Sequence, residues 1–224
     1  ISVMTTVQRD LSSLSNPHEI RVTHLDWEVK VDFFDKAFRA VATYTIHRES
    51  GSATLQLDTA HLVVEAVKDA TTGEYLTYKE IKGNKPHLGT QLSIELASTT
   101  TKVAVYYRTT SKASAIQWLS PAQTAGKKHP YLFTQCQAIH ARSMLPCQDQ
   151  PGVKMTYEVR VSVPPWATCV MSAVLDNVKE EQTEKVFTWK QKIPISSYLL
   201  AMAVGELAKR DISERCAVYS EPAM

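Results

Sequence analysis

Two short stretches of this sequence carry residues of types that could do chemistry. His18-Glu19-Ile20-Arg21-Val22 falls one residue short of H-E-x-x-H, in which two histidines a helical turn apart hold zinc and the glutamate activates water. Val22 occupies the second ligand position, and the segment alternates apolar and polar residues as a strand does, so no zinc site is expected there. Cys136, His140 and Cys147, with His129 as a fourth donor, offer the thiolate and imidazole of a structural zinc site, but their spacing matches none of the common C-x2-C knuckles. A nucleophilic Cys136 paired with His140 would need an electropositive, partly exposed setting and a third group to orient the base. Buried cysteines acting as small hydrophobes are the simpler reading.

The remaining constellation is polar and lacks a nucleophile: Gln135, Gln137, Arg142, Gln148 and Asp149, grouped around Pro146 and Pro151. Glutamine amides donate and accept, so they can orient a peptide or an α-amine without reacting. The same residues could tie a long loop together, with Arg142 and Asp149 as an internal ion pair. Lys127-Lys128 beside Gly126 reads as a solvated loop tip rather than part of a nucleic-acid groove, despite Tyr131 and Phe133 nearby. The acidic stretch Asp176 to Glu184 reads as a solvated hairpin loop.

Strands must position these groups. Residues 1 to 17 are Ser/Thr-rich, end at the turn signal Asn16-Pro17, and read as an irregular arm. From Ile20 to Phe33 apolar residues alternate, with a change of facing near residues 24 and 25 such as a β-bulge produces. Phe38 to Ile46 alternates as a second strand, joined to the first around Asp35-Lys36. Further alternation appears at Leu55/Leu57, Val63/Val67, Leu92 to Leu96, Val103 to Tyr107, Met155 to Val163, Val186/Trp189 and Leu199 to Val204, with almost no helical periodicity. An all-β architecture follows, because no crossover helices are available for a parallel α/β sheet. Residues 110 to 153 break the rhythm, and so long an irregular stretch within a compact domain is commonly functional.

Composition excludes several classes. The 224 residues suit one large domain, and 44% hydrophobic with 21% charged residues is ordinary globular usage. A net charge of +2, from 25 Lys+Arg against 23 Asp+Glu, creates no global field to collect nucleic acid or an anionic membrane. The balance conceals a local bias: between Leu96 and Gln148 there is no Asp or Glu at all. No apolar run approaches the ~20 residues that span a bilayer. The seven glycines form no phosphate-cradling motif, and the start has no signal-peptide pattern. Four scattered cysteines point to a reducing, cytoplasmic setting rather than a disulfide scaffold.

From Ser114 to Pro151 the sequence closely resembles the leukotriene A-4 hydrolase and aminopeptidase B branch of the gluzincin zinc aminopeptidases. The R-x-x-x-P-C-x-D-x-P element (Arg142, Pro146, Cys147, Asp149, Pro151) resembles the signature of the family at large, and Q-C-Q-A-I-H with the preceding Q-W-L-x-P-x-Q-T narrows the likeness to this branch. Weaker similarity runs through most of residues 18 to 221. The resemblance implies a single β-rich N-terminal domain over residues 18–221, a saddle-like arrangement of mixed and antiparallel sheets set over a zinc-bearing catalytic domain.

G-x-M-E-N and H-E-x-x-H, the catalytic motifs of that family, do not occur here. The implied whole is a zinc metallo-aminopeptidase acting on peptides with a free N-terminus, extending by analogy to epoxide hydrolysis. This piece alone is expected to be inactive and to bind no zinc itself, with its own catalytic domain as partner and no nucleic acid or membrane. Carried over position by position, Gln137 matches a residue that helps hold the substrate's α-amine, and Gln135 and Ala138 match neighbours on the S1 side. Relatives outside the branch tend to have Glu at the position of Gln137. Arg142 and Asp149 are expected to structure the loop rather than to take part in catalysis. The competing expectation is a noncatalytic β-sandwich module that binds a protein partner.

Overall fold

The computed structural model describes residues 10–49 and 51–224. The first eight strands are Ile20–Asp32 (β1), Ala37–Arg48 (β2), Thr54–Thr59 (β3), Val63–Asp69 (β4), Tyr78–Lys82 (β5), Thr90–Glu95 (β6), Lys102–Arg108 (β7) and Ile116–Leu119 (β8). They are followed by Tyr131–Thr134 (β9), Lys154–Val163 (β10), Thr168–Met171 (β11), Val174–Glu180 (β12), Lys185–Ser196 (β13), Met202–Gly205 (β14), Ala208–Ser213 (β15) and Cys216–Ser220 (β16). Among the described residues the only helical turns are short 3-10 segments, so the chain is all-β, as the alternation predicts.

A seven-stranded sheet runs in the order β12-β13-β10-β1-β2-β7-β4, a four-stranded sheet β11-β14-β9-β8, a three-stranded sheet β3-β6-β5, and a two-stranded ribbon β15-β16. In the large sheet only β1 and β10 are parallel, which makes it mixed. Period-2 sequence dictates which face of this sheet is covered. Leu25, Trp27, Val29 and Val31 of β1, with Phe38, Ala40, Ala42 and Tyr44 of β2, are buried. The intervening Glu28 and Lys30 face outward, and Glu28 pairs there with Arg160 of the parallel neighbour. The buried face packs on Leu55, Leu57, Leu92 and Ile94 of the three-stranded sheet and on Ile116, Leu132, Met202 and Val204 of the four-stranded sheet, forming one continuous core. Each such large side chain contributes about 1.5–3 kcal/mol when fully buried.

The change of facing in β1 arises from an irregularity between Val22 and His24, where Thr23 is the extra residue opposite β2. Ile20 and Val22 are buried before it, Leu25 and Trp27 after it, so the bulge lies within a residue or two of its predicted place. The β1–β2 connection is a tight turn over residues 33–36, in which Lys36 has φ 49°.

Four expectations require correction. The acidic stretch is not a loop over its whole length: β12 reaches Glu180, and only residues 181–184 turn. Every β12 residue is exposed, so this edge strand has no apolar alternation for sequence to reveal. Alternation at Leu199 to Val204 is strand only from Met202, since Ser197–Leu199 is a 3-10 turn. The stretch 110 to 153 holds β8 and β9, four residues each and too short to set up a rhythm. His18 and Glu19, read as part of an alternating strand segment, lie in a turn instead, because β1 begins at Ile20.

Of the arm, residues 1–9 lie outside the described residues, while residues 10–17 form no strand or helix. Ser13, Ser15 and Asn16 are nevertheless buried. Asn16 accepts from the Gln56 backbone at 2.9 Å and donates to Thr54 O at 2.8 Å, extending the edge of β3.

Candidate functional site

Strand β9 ends at Thr134 and delivers the glutamines to the rim of the four-stranded sheet. The Gln135 backbone N–H donates to Ala115 O at 2.8 Å, and a turn closes when the His140 N–H donates to Cys136 O at 2.9 Å. Cys136 points inward and is buried, whereas Gln135, Gln137 and Ala138 are exposed; the bond between Gln137 and Ala138 is cis. Among the described residues neither the Gln135 nor the Gln137 side-chain amide has a hydrogen-bond partner. Two amides, each able to donate and accept, therefore face outward beside a small side chain.

The turn continues into a segment with almost no exposure, residues 141–149, whose polar groups must be satisfied internally. Arg142 answers most of them. Its Nε donates to Asp149 Oδ2 at 3.0 Å, Nη1 to Leu88 O at 2.8 Å, and Nη2 to Ser12 O at 2.8 Å and Asp149 O at 3.1 Å. One planar fork thus joins the arm, the turn before β6 and the glutamine loop. Asp149 also accepts from the Ser197 hydroxyl at 2.7 Å.

A second carboxylate, Asp58 at the end of β3, lies 3.7 Å from Arg142 Nη1. It accepts from Ser13 Oγ at 2.6 Å, Leu14 N at 2.6 Å and Asp149 N at 2.9 Å. Burial pushes the Asp58 carboxyl up, against the opposing pull of the Arg142 guanidinium and these donors. Gln148 is spent on the backbone of β1, accepting from Val22 N at 3.0 Å and donating to Ile20 O at 2.7 Å. Tyr44 donates to Pro146 O, and Tyr107, which accepts from Trp27 Nε1, donates to Met144 O.

Asp58, Ser13, Ser197 and the two tyrosines carry no sequence signal for this role. Asp58 is 91 residues from Asp149, and a lone acid ending an apolar strand looks like an ordinary strand terminus. Only the β3–loop bridge, in which Asp58 N donates to Cys147 O at 2.7 Å and Cys147 N to Asp58 O at 3.1 Å, brings them together.

The proposed zinc and nucleophile sets do not assemble. Burial pushes the Cys136 thiol up to about 12, with Asp149 adding to it, and burial raises Cys147 well above its ordinary value. Raised in this way, the thiols are poor nucleophiles at neutral pH. The His129 ring is stacked on Trp166 at 4.2 Å, and His140 Nδ1 is bonded to Ser114 Oγ at 2.7 Å. Among the described residues no three His, Cys, Asp or Glu side chains are grouped to hold a metal ion. The expected result is that Cys136, Cys147 and Cys169 resist iodoacetamide at pH 8 in the folded protein and react only after denaturation; mass spectrometry of the labelled chain checks this, and native labelling of Cys136 would revive the nucleophile. Lys127 and Lys128 sit in an exposed turn whose Ala125 and Gly126 amides hold the Glu221 carboxylate at 2.9 and 3.4 Å.

Residues 21–199 match the family described as the Peptidase M1 N-terminal domain. The chain belongs to that family. It is 40% identical to leukotriene A-4 hydrolase of Xenopus laevis over 225 residues, covering 95% of this chain and 36% of that protein. Leucine aminopeptidase 2 of Yarrowia lipolytica is 38% identical over 219 residues, covering 96% of this chain and 33% of that protein. The fold superposes on native yeast LTA4 hydrolase with a TM-score of 0.88 at 34% identity, covering 98% of this chain and 34% of that one. As a member of the M1 N-terminal domain family, the chain spans about a third of the length of the relatives it matches.

Proposed function

We propose that this chain is the N-terminal, substrate-positioning domain of a zinc metallo-aminopeptidase that removes N-terminal residues from peptides, with epoxide hydrolysis as a second activity in keeping with the leukotriene A-4 hydrolase likeness. The observation that carries the reading is the outward-facing pair Gln135 and Gln137 beside Ala138, mounted on a loop that the Arg142 network holds from behind. In this role Gln137 accepts a hydrogen bond from the substrate's α-ammonium, and Gln135 and Ala138 shape the space for the first side chain. Arg142 and Asp149 keep the loop in register and touch no substrate.

Among the described residues no donor set is grouped to hold a metal ion; the metal and the peptide-bond chemistry are assigned to a catalytic domain encoded in the same gene, and the isolated chain is inactive. The β15–β16 ribbon supports a partner on that side. Its Ile212 and Val218 are exposed, and a two-stranded hairpin with so little packing is marginal in water. A cytoplasmic location suits the four unpaired cysteines. Reading the gene past Met224 is expected to reveal H-E-x-x-H in frame. The full-length protein is then expected to hydrolyse aminoacyl arylamides and to lose that activity to a chelator, while residues 1–224 alone show none. An open reading frame without the motif would leave only the protein-binding module.

A further inference from the structure

A cavity of ≈ 870 Å³ borders the glutamine loop, lined by His61, Lys82, His87, Ser114 and His140 among others, with buried Arg142 in its wall. These groups reach it from separate parts of the chain. His61 lies between β3 and β4, Lys82 ends β5, His87 is in the 3-10 turn Pro86–Leu88, and Ser114 and His140 flank β8 and the glutamine turn. None of the lining residues is an Asp or Glu. Among the described residues no carboxylate comes within ion-pair distance of Lys82, His61, His87 or His140. Arg142 contributes little net charge, being occupied by Asp149 and Asp58. The ammonium of Lys82 and three imidazoles, each with an N–H donor in either protonation state and all at exposed positions, line this one cavity.

Two details show that the set is held in place. The Ser114 hydroxyl bonds His140 through Nδ1, leaving Nε2 without a partner among the described residues. His61 has φ 58°, a left-handed conformation that costs an L-residue about 1–2 kcal/mol, and the Thr110 hydroxyl secures it by donating to its carbonyl at 2.8 Å. Gly89, also in the cavity wall, has φ 74°, and a Cβ there would meet Thr59 O at 2.2 Å. Its backbone therefore runs against β3 with no side chain to fill the space.

We propose that this cavity is a binding site for a small, multiply charged organic oxyanion, a polycarboxylate or a phosphate monoester. Its volume lies within the range of about 300–1,000 Å³ typical of small-molecule sites, which is larger than a bare inorganic anion needs. Lys82 supplies the charge and the imidazoles supply directional hydrogen bonds. The proposal rests on the cavity lining and does not depend on the aminopeptidase reading.

The test is isothermal titration of citrate, and separately of glycerol 3-phosphate, into the full-length protein at low ionic strength. Saturable 1:1 binding of at least one is expected, and which one binds decides between a carboxylate and a phosphate ligand. Lys82→Gln and His87→Ala, both at exposed positions, should each weaken binding by about tenfold, the effect of losing one charge-assisted bond. Lys82→Arg should retain it, and the unfolding midpoints should not change. Absence of binding by both anions up to about 10 mM, weaker than any useful site, overturns the proposal. So does binding that the Lys82→Gln, His87→Ala double variant leaves unaltered.

Discussion

Replacing Arg142 with alanine is expected to cost the domain about 3–5 kcal/mol, the penalty measured when one partner of a buried ion pair is removed. The Arg142 side chain is 1% exposed and its carboxylate partners Asp58 and Asp149 are 0% and 1% exposed, so water cannot take its place. The guanidinium's Nε and both Nη atoms donate to four acceptors on three different segments. Its removal orphans Leu88 O, Ser12 O and the Asp149 carbonyl, and leaves two carboxylates buried without a cation. Lysine cannot rescue the site, because a single ammonium on a flexible stem does not reproduce a planar fork. Arg142→Lys should therefore fall much nearer to alanine than to the native protein. Urea unfolding checks both variants, and a loss below about 1 kcal/mol for Arg142→Ala would place the pair among those that contribute little. Such a large fraction of the marginal stability of a domain is at stake that Arg142→Ala should accumulate poorly in cells.

Gln137→Ala in the full-length protein is expected to lower kcat/KM for aminoacyl arylamides by about tenfold to a hundredfold, since a hydrogen bond to a charged group contributes about 1.5–3 kcal/mol. The side chain is exposed and makes no bond within the domain, so the substitution should leave the unfolding midpoint where it is. That separation matters: a kinetic loss without a stability loss identifies a substrate contact, whereas the Arg142 variants should lose both together. Gln137→Glu should keep or strengthen amine binding, because a carboxylate accepts a charge-assisted bond from the ammonium. Kinetics unchanged in Gln137→Ala would remove the residue from the substrate site. The effect should be confined to substrates with a free α-amine, so an epoxide substrate without one should be hydrolysed normally.

The legible part of the fold was the part in which each strand has one wet and one dry face. In β1, β2 and β10 the buried residues recur at nearly every second position, and a shift in that phase marked the bulge beside Thr23. Illegible strands had no such contrast. β12 exposes every residue, β15 and β16 expose most of theirs, and β8 and β9 have four residues each. Backbone pairing with a neighbour fixes these elements, and pairing leaves no mark on composition. The glutamine loop was recognisable through a family likeness carried by Q-C-Q-A-I-H and R-x-x-x-P-C-x-D-x-P. Of what holds it, Arg142 and Asp149 were visible as a possible pair seven residues apart, while Asp58 was not.

By itself, then, the sequence determined the all-β class, the course of the long strands and the absence of a complete catalytic motif, because those follow from local periodicity and spacing. Tertiary structure decided which polar groups would be spent and which left free. Burial raised the thiols of Cys136 and Cys147 out of reactive range and consumed Arg142, Asp149 and Gln148 internally, leaving Gln135 and Gln137 facing outward. It also gathered His61, Lys82, His87 and His140, scattered over some 80 residues, around one cavity without a carboxylate. The physical reason is common to both outcomes. The energy of a charge or a hydrogen-bonding group depends on what surrounds it in space, and those surroundings come from segments far apart in the chain.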